Sequence, residues 1–309
     1  LDSPSEVIQK KQALLEDSAW NTLLEALEET FGKTKRFYQF KIYTTLSGPG
    51  RTTRAGSGQT VPAGPGKGHL RTFGFKDGLG GGIMGTCYLD RDGHPWFATW
   101  WSGISRYDGY EWVRLTTEDG LAENRIYSIF QDRDGCYWFG TGEGLNRYDG
   151  ETWTVFTKED GLAYNAVQWT FQDSTETMWF GTRERGVTRY DGRTWKTFTR
   201  ADGLAGNFVR EILQDRDGVL WFGTEGGLSR YDGESWNSFR EEDGLAHDSI
   251  WSIAEDRAGN LWLATEEGVS RYDGESWISF REEDGLAHPW VNSAREDRDG
   301  NMWFATGGG

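Results

Sequence analysis

The residues most capable of metal chemistry lie in a recurring acidic turn. The tetrapeptide DRDG occurs four times, first at Asp90, and Ca²⁺ prefers clustered carboxylate oxygens. However, the equivalent turns at Asp173 and Asp256 read DSTE and DRAG, and no carboxylate at a fixed later position completes a ligand set. The pattern therefore predicts turns rather than a metal site.

Acid and base groups come together in sequence at His247, Asp248 and Glu266. A hydrolytic or lyase site needs a nucleophile or base with a partner that orients it. His247 and His288 each follow a DGLA segment, but the sequence supplies neither with a defined partner. We predict no catalytic residue, no metal and no cofactor, and a lyase or hydrolase is the least favoured alternative.

These turns recur because the chain is built from repeats. The triplet DGL begins at Asp77 and returns five times at spacings of 41 or 42 residues; an Asp stands 11 residues after each Leu, and a Trp 6 residues later. Gly and Asp divide each repeat into short alternating segments typical of strands. Four strands per repeat of about 40 to 45 residues indicate a β-propeller blade. We predict an all-β propeller of four-stranded antiparallel blades, about six in number, the last incomplete.

The repeat also carries a family resemblance. DGL, DxxGxxWFGT and GLxRYDGxxW, as in residues 215–236, resemble the two-component regulator propeller repeat of bacterial hybrid histidine kinases. Over residues 70–309, the resemblance implies a ligand-sensing propeller, often periplasmic, whose output domain lies elsewhere in the polypeptide. The chain shows no kinase or receiver signature, so an output domain or protein partner is expected outside it. A weaker similarity is to streptogramin-lyase propellers.

Composition divides the chain into three segments. We predict that residues 1–46 form a short α/β segment, that residues 47–68 form a Gly/Pro-rich linker, and that residues 69–309 form the propeller. The first segment should contain a helix that is capped by SPSE at Ser3. The last blade lacks outer strands. We expect either that the early strand FYQFKIYTT supplies one, or that the chain is part of a propeller of seven or more blades, which we favour.

Charge and hydropathy exclude two classes of partner. The net charge is −16, and its acidic excess falls on the repeats, so phosphates would be repelled and nucleic acid is not expected. No apolar run reaches the roughly 20 residues of a membrane helix, so we expect no membrane insertion. No signal peptide is visible, and a periplasmic or extracellular location is expected only through the family resemblance.

Positions that differ between repeats predict where binding occurs. Counted from the Leu of DGL, the fourth and sixth residues vary between repeats, while the fifth and eighth stay mostly apolar. Two loops, WWS at Trp100 and RER at Arg183, are one residue longer than their counterparts in the other repeats. Variable loops on a rigid scaffold often bind ligands. We predict a small-molecule or oligosaccharide site; a protein-interaction scaffold is the main alternative. Its residues, called the mouth residues below, are Trp100, Trp101, Arg125, Tyr127, Gln168, Arg183, Arg210, His247, Trp251, His288, Trp290 and Asn292.

Overall fold

The computed structural model describes residues 43–49, 52–53, 60–61, 67–70, 80, 84–108 and 110–308. The predicted N-terminal helix and much of the predicted linker lie outside these residues. All described residues belong to one compact unit, Tyr43–Gly309. Its first four strands are β1 (Tyr43–Pro49), β2 (Thr52–Thr53), β3 (Thr60–Val61) and β4 (Lys67–Leu70). β1 pairs antiparallel with β4, and β2 with β3.

Five four-stranded sheets and one two-stranded sheet follow, called blades 1 to 6. Blade 1 comprises β5–β8, at Met84–Leu89, Pro95–Thr99, Ile104–Tyr107 and Trp112–Leu115. Blade 2 comprises β9–β12, at Ile126–Gln131, Tyr137–Thr141, Leu145–Tyr148 and Trp153–Phe156. Blade 3 comprises β13–β16, at Val167–Gln172, Met178–Thr182, Val187–Tyr190 and Trp195–Phe198.

The remaining blades repeat this order. Blade 4 comprises β17–β20, at Val209–Gln214, Leu220–Thr224, Gly227–Tyr231 and Trp236–Phe239. Blade 5 comprises β21–β24, at Ile250–Glu255, Leu261–Thr265, Gly268–Tyr272 and Trp277–Phe280. Blade 6 comprises β25 and β26, at Val291–Glu296 and Met302–Thr306. Single-turn 3₁₀ helices precede three of the DGL glycines, at Arg200–Asp202, Glu241–Asp243 and Glu282–Asp284.

Each four-stranded blade is an antiparallel meander in which chain neighbours are hydrogen-bonded. Inner strands of successive blades pack in chain order from β5 through β25. The inner strands also share an interior, because Arg295 of blade 6 reaches past blade 5 to Glu211 of blade 4, with Nη2 and Oε1 3.0 Å apart. The predicted propeller of four-stranded blades, with an incomplete last blade, is confirmed.

A buried Asp–Trp hydrogen bond explains the fixed spacing within each repeat. In blade 3, one carboxylate oxygen of Asp173 accepts from the indole N–H of Trp179 at 2.7 Å. The other accepts from the backbone N–H groups of Thr175 and Thr177, which closes the hairpin turn. The same Asp–Trp bond, 2.7–2.9 Å long, occurs in all six blades. The acidic turns are therefore structural, as predicted.

The contacts between neighbouring blades are apolar in the interior and polar at the rim. In blades 1 to 5, the Trp of the second strand packs against the inner strand of the next blade, as Trp179 does on Val209 and Ile212. Burying such side chains stabilises each joint by roughly 1.5–3 kcal/mol per large residue. At the rim of blades 1 to 5, the backbone N–H after the turn Asp donates to a Gln or Glu of the next blade, for example Arg133 to Gln172 at 2.8 Å.

The DGL turn holds the connection between blades. Asp202 accepts from the backbone N–H and the hydroxyl of Thr199, at 2.8 and 3.0 Å. Gly203 follows with a φ of 116°, which favours glycine, and a β-carbon there would lie 2.6 Å from that of Trp236. Leu204 is then buried. The turn fixes the start of the inner strand, which carries the variable positions.

Candidate functional site

The sixth residue after each DGL leucine occupies a β-bulge. In blade 2, Ile126 pairs with Thr141 and Ser128 with Gly140, so Tyr127 between them has no partner on the second strand. The same interruption occurs in all six blades. A bulge leaves one residue outside the ladder and re-aims its side chain. The bulge residues are Gly85, Tyr127, Gln168, Arg210, Trp251 and Asn292.

In blades 1 to 5, a buried threonine ends the second strand and holds the loop that follows. Thr141 donates its hydroxyl to the Gly144 carbonyl at 2.7 Å and accepts from the backbone N–H of Glu143. In blade 3, where the loop has one more residue, Thr182 makes the corresponding bonds to Gly186 and Arg185. The longer loops therefore change the exposed residues without disturbing the strands.

Arg210 is the most constrained of the mouth residues. Its guanidinium carbon lies 4.8 Å from the ring centre of Phe208 and 4.1 Å from that of Trp251. Its Nη1 donates to Ser249 Oγ at 2.6 Å, and that hydroxyl donates to Glu266 Oε1 at 2.9 Å. Burial lowers the pKa of Arg210, and the charge of Glu266 opposes this shift. Cation–π contacts of this kind fix an arginine in one orientation.

The aromatic surface continues into blade 6. The rings of Trp251 and Trp290 have centres 5.8 Å apart. Beside them, His288 Nδ1 accepts the backbone N–H of Trp290 at 3.1 Å, and His247 Nδ1 accepts that of Ser249 at 3.0 Å. Because a backbone N–H can only donate, Nδ1 is unprotonated in both bonds. Both histidines thus shape the loops on which the tryptophans stand.

Blades 1 and 2 present a second group of mouth residues. Trp100 and Trp101 are 41% and 59% exposed, and their ring centres are 6.1 Å apart. A β-carbon on Gly85 would lie 3.0 Å from Trp100 Cδ1, so the loop indole covers the bulge that has no side chain of its own. In blade 2, Arg125 Nη1 donates to the Tyr127 hydroxyl at 3.3 Å.

The structure brings most mouth residues into two groups. Arg210, Trp251 and Trp290 form a continuous stack, with His247 and His288 holding its loops. Trp100 and Trp101 form one pair and Arg125 and Tyr127 another, while Gln168 and Asn292 are half-buried at bulges and Arg183 is an exposed loop residue. Comparing the repeats did not single out Ser249 as a site residue. It is the fourth residue after the DGL leucine, and the variation at that position between repeats could have identified it.

Three of the bulge residues carry buried donors that bond to nothing in the described part of the chain. These atoms are Gln168 Nε2, Arg210 Nε and Trp251 Nε1. All three are donors, and they occur on consecutive blades, 3, 4 and 5. A buried donor without an acceptor costs about 1–3 kcal/mol. Buried donors of the same kind also occur away from the mouth residues, at Arg106 Nε, Trp236 Nε1 and Arg271 Nε.

A groove and a charged cluster also lie away from the mouth residues. A groove of about 480 Å³ between blades 2 and 3 is lined by residues such as Asp132, Arg147 and Tyr190, with no mouth residue among them. Asp90, Asp92 and His94 lie close enough to share a cation. However, Asp90 already accepts from Trp96, Tyr137 and two backbone N–H groups.

Known proteins place this architecture among β-propellers. Residues 120–143, 203–226, 244–267 and 285–308 match the family described as "Two component regulator propeller". The predicted resemblance is confirmed: four repeats of the chain match the model of this family. No curated protein sequence matches it significantly. No helix in the described part of the chain is long and apolar enough to cross a membrane.

Solved structures share the fold. The extracellular domain of a protein described as a hybrid two-component system from B. thetaiotaomicron is 24% identical, with a TM-score of 0.63 over 71% of this chain and 32% of that one. PorZ, a surface component of the type-IX secretion system of Porphyromonas gingivalis, is 18% identical, with a TM-score of 0.58 over 78% of this chain and 41% of that one.

A lyase also has this architecture. A catalytically inactive virginiamycin B lyase from Staphylococcus aureus, solved with quinupristin, is 17% identical, with a TM-score of 0.58 over 86% of this chain and 95% of that one. Identities this low show a shared fold only. The chain spans about a third of the length of the solved extracellular domain of the hybrid two-component system.

Proposed function

We propose that this propeller is a non-enzymatic sensor module that binds a small, acceptor-rich ligand, such as an oligosaccharide, at the mouth residues. The observation that carries the proposal is the set of three unsatisfied donors at the bulges of blades 3, 4 and 5. The scaffold around them repeats between blades, whereas these three residues differ in type.

The chemistry of the mouth suits a sugar. Sugar rings present apolar C–H faces that stack on aromatic rings, and hydroxyl and ring oxygens that accept hydrogen bonds. Trp251 and Trp290 supply adjacent aromatic rings. Arg210 adds a guanidinium that Phe208 and Trp251 hold in place before any ligand arrives. A site built in advance loses little entropy on binding.

Binding would become a signal through differential contact. A ligand that bridges blades 3 to 5 favours the arrangement in which all three donors are satisfied, and it shifts the population by its difference in affinity. The response would pass to an output domain or a protein partner, in a periplasmic or extracellular setting such as that of the hybrid two-component protein.

Tryptophan fluorescence tests the proposal directly. We would titrate the protein with neutral and acidic oligosaccharides and with small metabolites, and repeat the titration with Gln168→Ala and Trp251→Phe. Trp251→Phe keeps a ring but removes the donor, so we expect its Kd to rise about two- to tenfold, as for one lost hydrogen bond. Tyr110→Ala is the control, because Tyr110 is 93% exposed in a turn between third and fourth strands, away from the mouth.

Two outcomes would contradict the sensor proposal. A flat response across the whole panel would leave the mouth without a small ligand. The exposed pair Trp100 and Trp101 would then favour a protein-interaction scaffold. Turnover that is lost in His247→Ala or His288→Ala would instead support a lyase.

A further inference from the structure

The contacts between neighbouring blades differ in the polar bonds that cross them. Each contact is called a joint below and is named by the numbers of its two blades. At joints 1–2, 2–3, 4–5 and 5–6, the Arg after the turn Asp donates its guanidinium N–H groups to backbone carbonyls in the turn of the next blade. These residues are Arg91, Arg133, Arg216 and Arg257. At joint 3–4 the equivalent residue is Ser174, which has no guanidinium to donate, so this arginine clamp is missing.

The inner strands show the same difference. At joint 2–3, Ser128 Oγ and Thr170 Oγ1 lie 3.1 Å apart and share a hydrogen bond. At joint 4–5, Glu211 Oε2 accepts the backbone N–H of Ile253 at 2.7 Å. Ser128 and Glu211 are each the seventh residue after a DGL leucine, and in blade 3 this residue is Trp169. An indole offers no acceptor, so the inner strand of blade 3 makes no such bond to blade 4.

Joint 3–4 is therefore held mainly by apolar packing, in which Trp179 lies against the inner strand of blade 4. Two hydrogen bonds in the described part of the chain cross this joint. The backbone N–H of Ser174 donates to Gln214 Oε1 at 2.7 Å, and the backbone N–H of Gly186 donates to the Asn207 carbonyl at 2.8 Å. Neither bond involves a charged group, in contrast to the clamped joints.

Blades 4 to 6 are tied together once more by the ion pair between Arg295 and Glu211, with Nη2 and Oε1 3.0 Å apart. We propose that the described blades form two rigid groups, blades 1–3 and blades 4–6, and that the propeller bends at joint 3–4. Apolar contacts are non-directional and allow packed elements to slide slightly, whereas hydrogen bonds fix distance and angle.

The bend would pass through the mouth residues, because Gln168 lies on blade 3 and Arg210 on blade 4. A ligand that contacts both residues would hold the two groups in one relative position. The bend is then the movement by which binding is transmitted, and this consequence rests on the proposed function, whereas the bend itself does not.

Distances between paired spin labels test the bend without any ligand. Arg193, Glu234 and Glu275 occupy equivalent exposed positions, in the turn between the third and fourth strands of blades 3, 4 and 5. In a Cys87→Ser, Cys136→Ser background, labels on Arg193→Cys with Glu234→Cys span joint 3–4. Labels on Glu234→Cys with Glu275→Cys span joint 4–5 and are the matched control, because the labels themselves move equally at equivalent positions. We expect double electron–electron resonance to give a distance distribution about twice as broad for the first pair.

Installing the missing clamp tests the cause of the bend. Ser174→Arg places a guanidinium where it can donate to the carbonyls of Asp215 and Arg216, as Arg133 donates to that of Ser174. Ser174→Met is the control, because it adds a long side chain without donors. We expect only Ser174→Arg to narrow the distribution across joint 3–4 to the width found across joint 4–5.

Equal widths for the two label pairs before this substitution would overturn the proposal. Any result in which Ser174→Arg and Ser174→Met behave alike would overturn the role of the missing clamp. Because the labels report on the protein alone, a rigid joint 3–4 would leave the sensor proposal standing, and a flat fluorescence titration would leave the bend standing.

Discussion

Asp173→Asn in blade 3 probes the hydrogen bond that recurs in every blade. The carboxylate is 5% exposed, and Trp179 is 1% exposed. One oxygen accepts the indole N–H of Trp179 at 2.7 Å, and the other accepts the backbone N–H groups of Thr175 and Thr177. An amide has only one oxygen, so its NH₂ must face a donor in either orientation.

The expected cost follows from burial. A buried donor left unsatisfied costs about 1–3 kcal/mol, and a hydrogen bond to a charged group contributes about 1.5–3 kcal/mol. We therefore expect Asp173→Asn to lower the free energy of unfolding by about 2–4 kcal/mol. For a protein of this size that is a fall in Tm of roughly 4–16 °C.

Urea unfolding followed by tryptophan fluorescence measures this change, with Asp191→Asn as the control. Asp191 also accepts two backbone N–H groups, from Arg193 and Thr194, but it is exposed. An asparagine there keeps an acceptor, and water satisfies its amide, so the midpoint should move less than in Asp173→Asn. A double-mutant cycle with Trp179→Phe then isolates the indole bond. The reasoning is refuted if Asp173→Asn shifts the midpoint no more than Asp191→Asn, or if the cycle shows no coupling.

Three further predictions use the same assays. First, Asp149 and Asp191 each have a pKa lowered to about 2, chiefly because the hydroxyls of Thr152 and Thr194 donate to them. These carboxylates therefore stabilise the folded state above the unfolded pKa of about 3.9. That stabilisation should be lost as the pH falls towards 2. Urea midpoints between pH 5 and 2 should therefore lose part of their acid dependence in Asp149→Asn, and an unchanged profile would contradict this. Second, Asp297→Asn should lower the free energy of unfolding less than Asp173→Asn does, because Trp303 is 66% exposed and water can accept its indole N–H; an equal shift of the urea midpoint would refute this. Third, His288→Ala should destabilise by about 0.5–1.5 kcal/mol through the lost bond to the Trp290 N–H, whereas His288→Asn retains an acceptor; equal urea midpoints for the two variants would refute that role.

Several features of the fold could be predicted because the repeat constrains them locally. The Asp–Trp spacing, the DGL glycine and the alternating strands are short-range patterns, and each recurs in register. Comparing repeats also singled out Arg210 and Trp251, since the sixth position varies while the fifth and eighth stay mostly apolar; their role in binding stays a prediction. The contact between Phe208 and Arg210 agrees with the prediction that the fourth and sixth positions share a side.

The sequence by itself determined the blade, the family of its repeats and the positions at which blades differ. Only the tertiary structure decided what those positions do, because their geometry depends on pairing between strands. The bulge that re-aims Gln168 arises from the register of Val167 on Thr182 and Trp169 on Gly181. Likewise, the pairing of Tyr43 with Leu70 joins residues 27 positions apart across a segment without repeat pattern. No local propensity encodes such a contact; it depends on which strand edge is free to receive it.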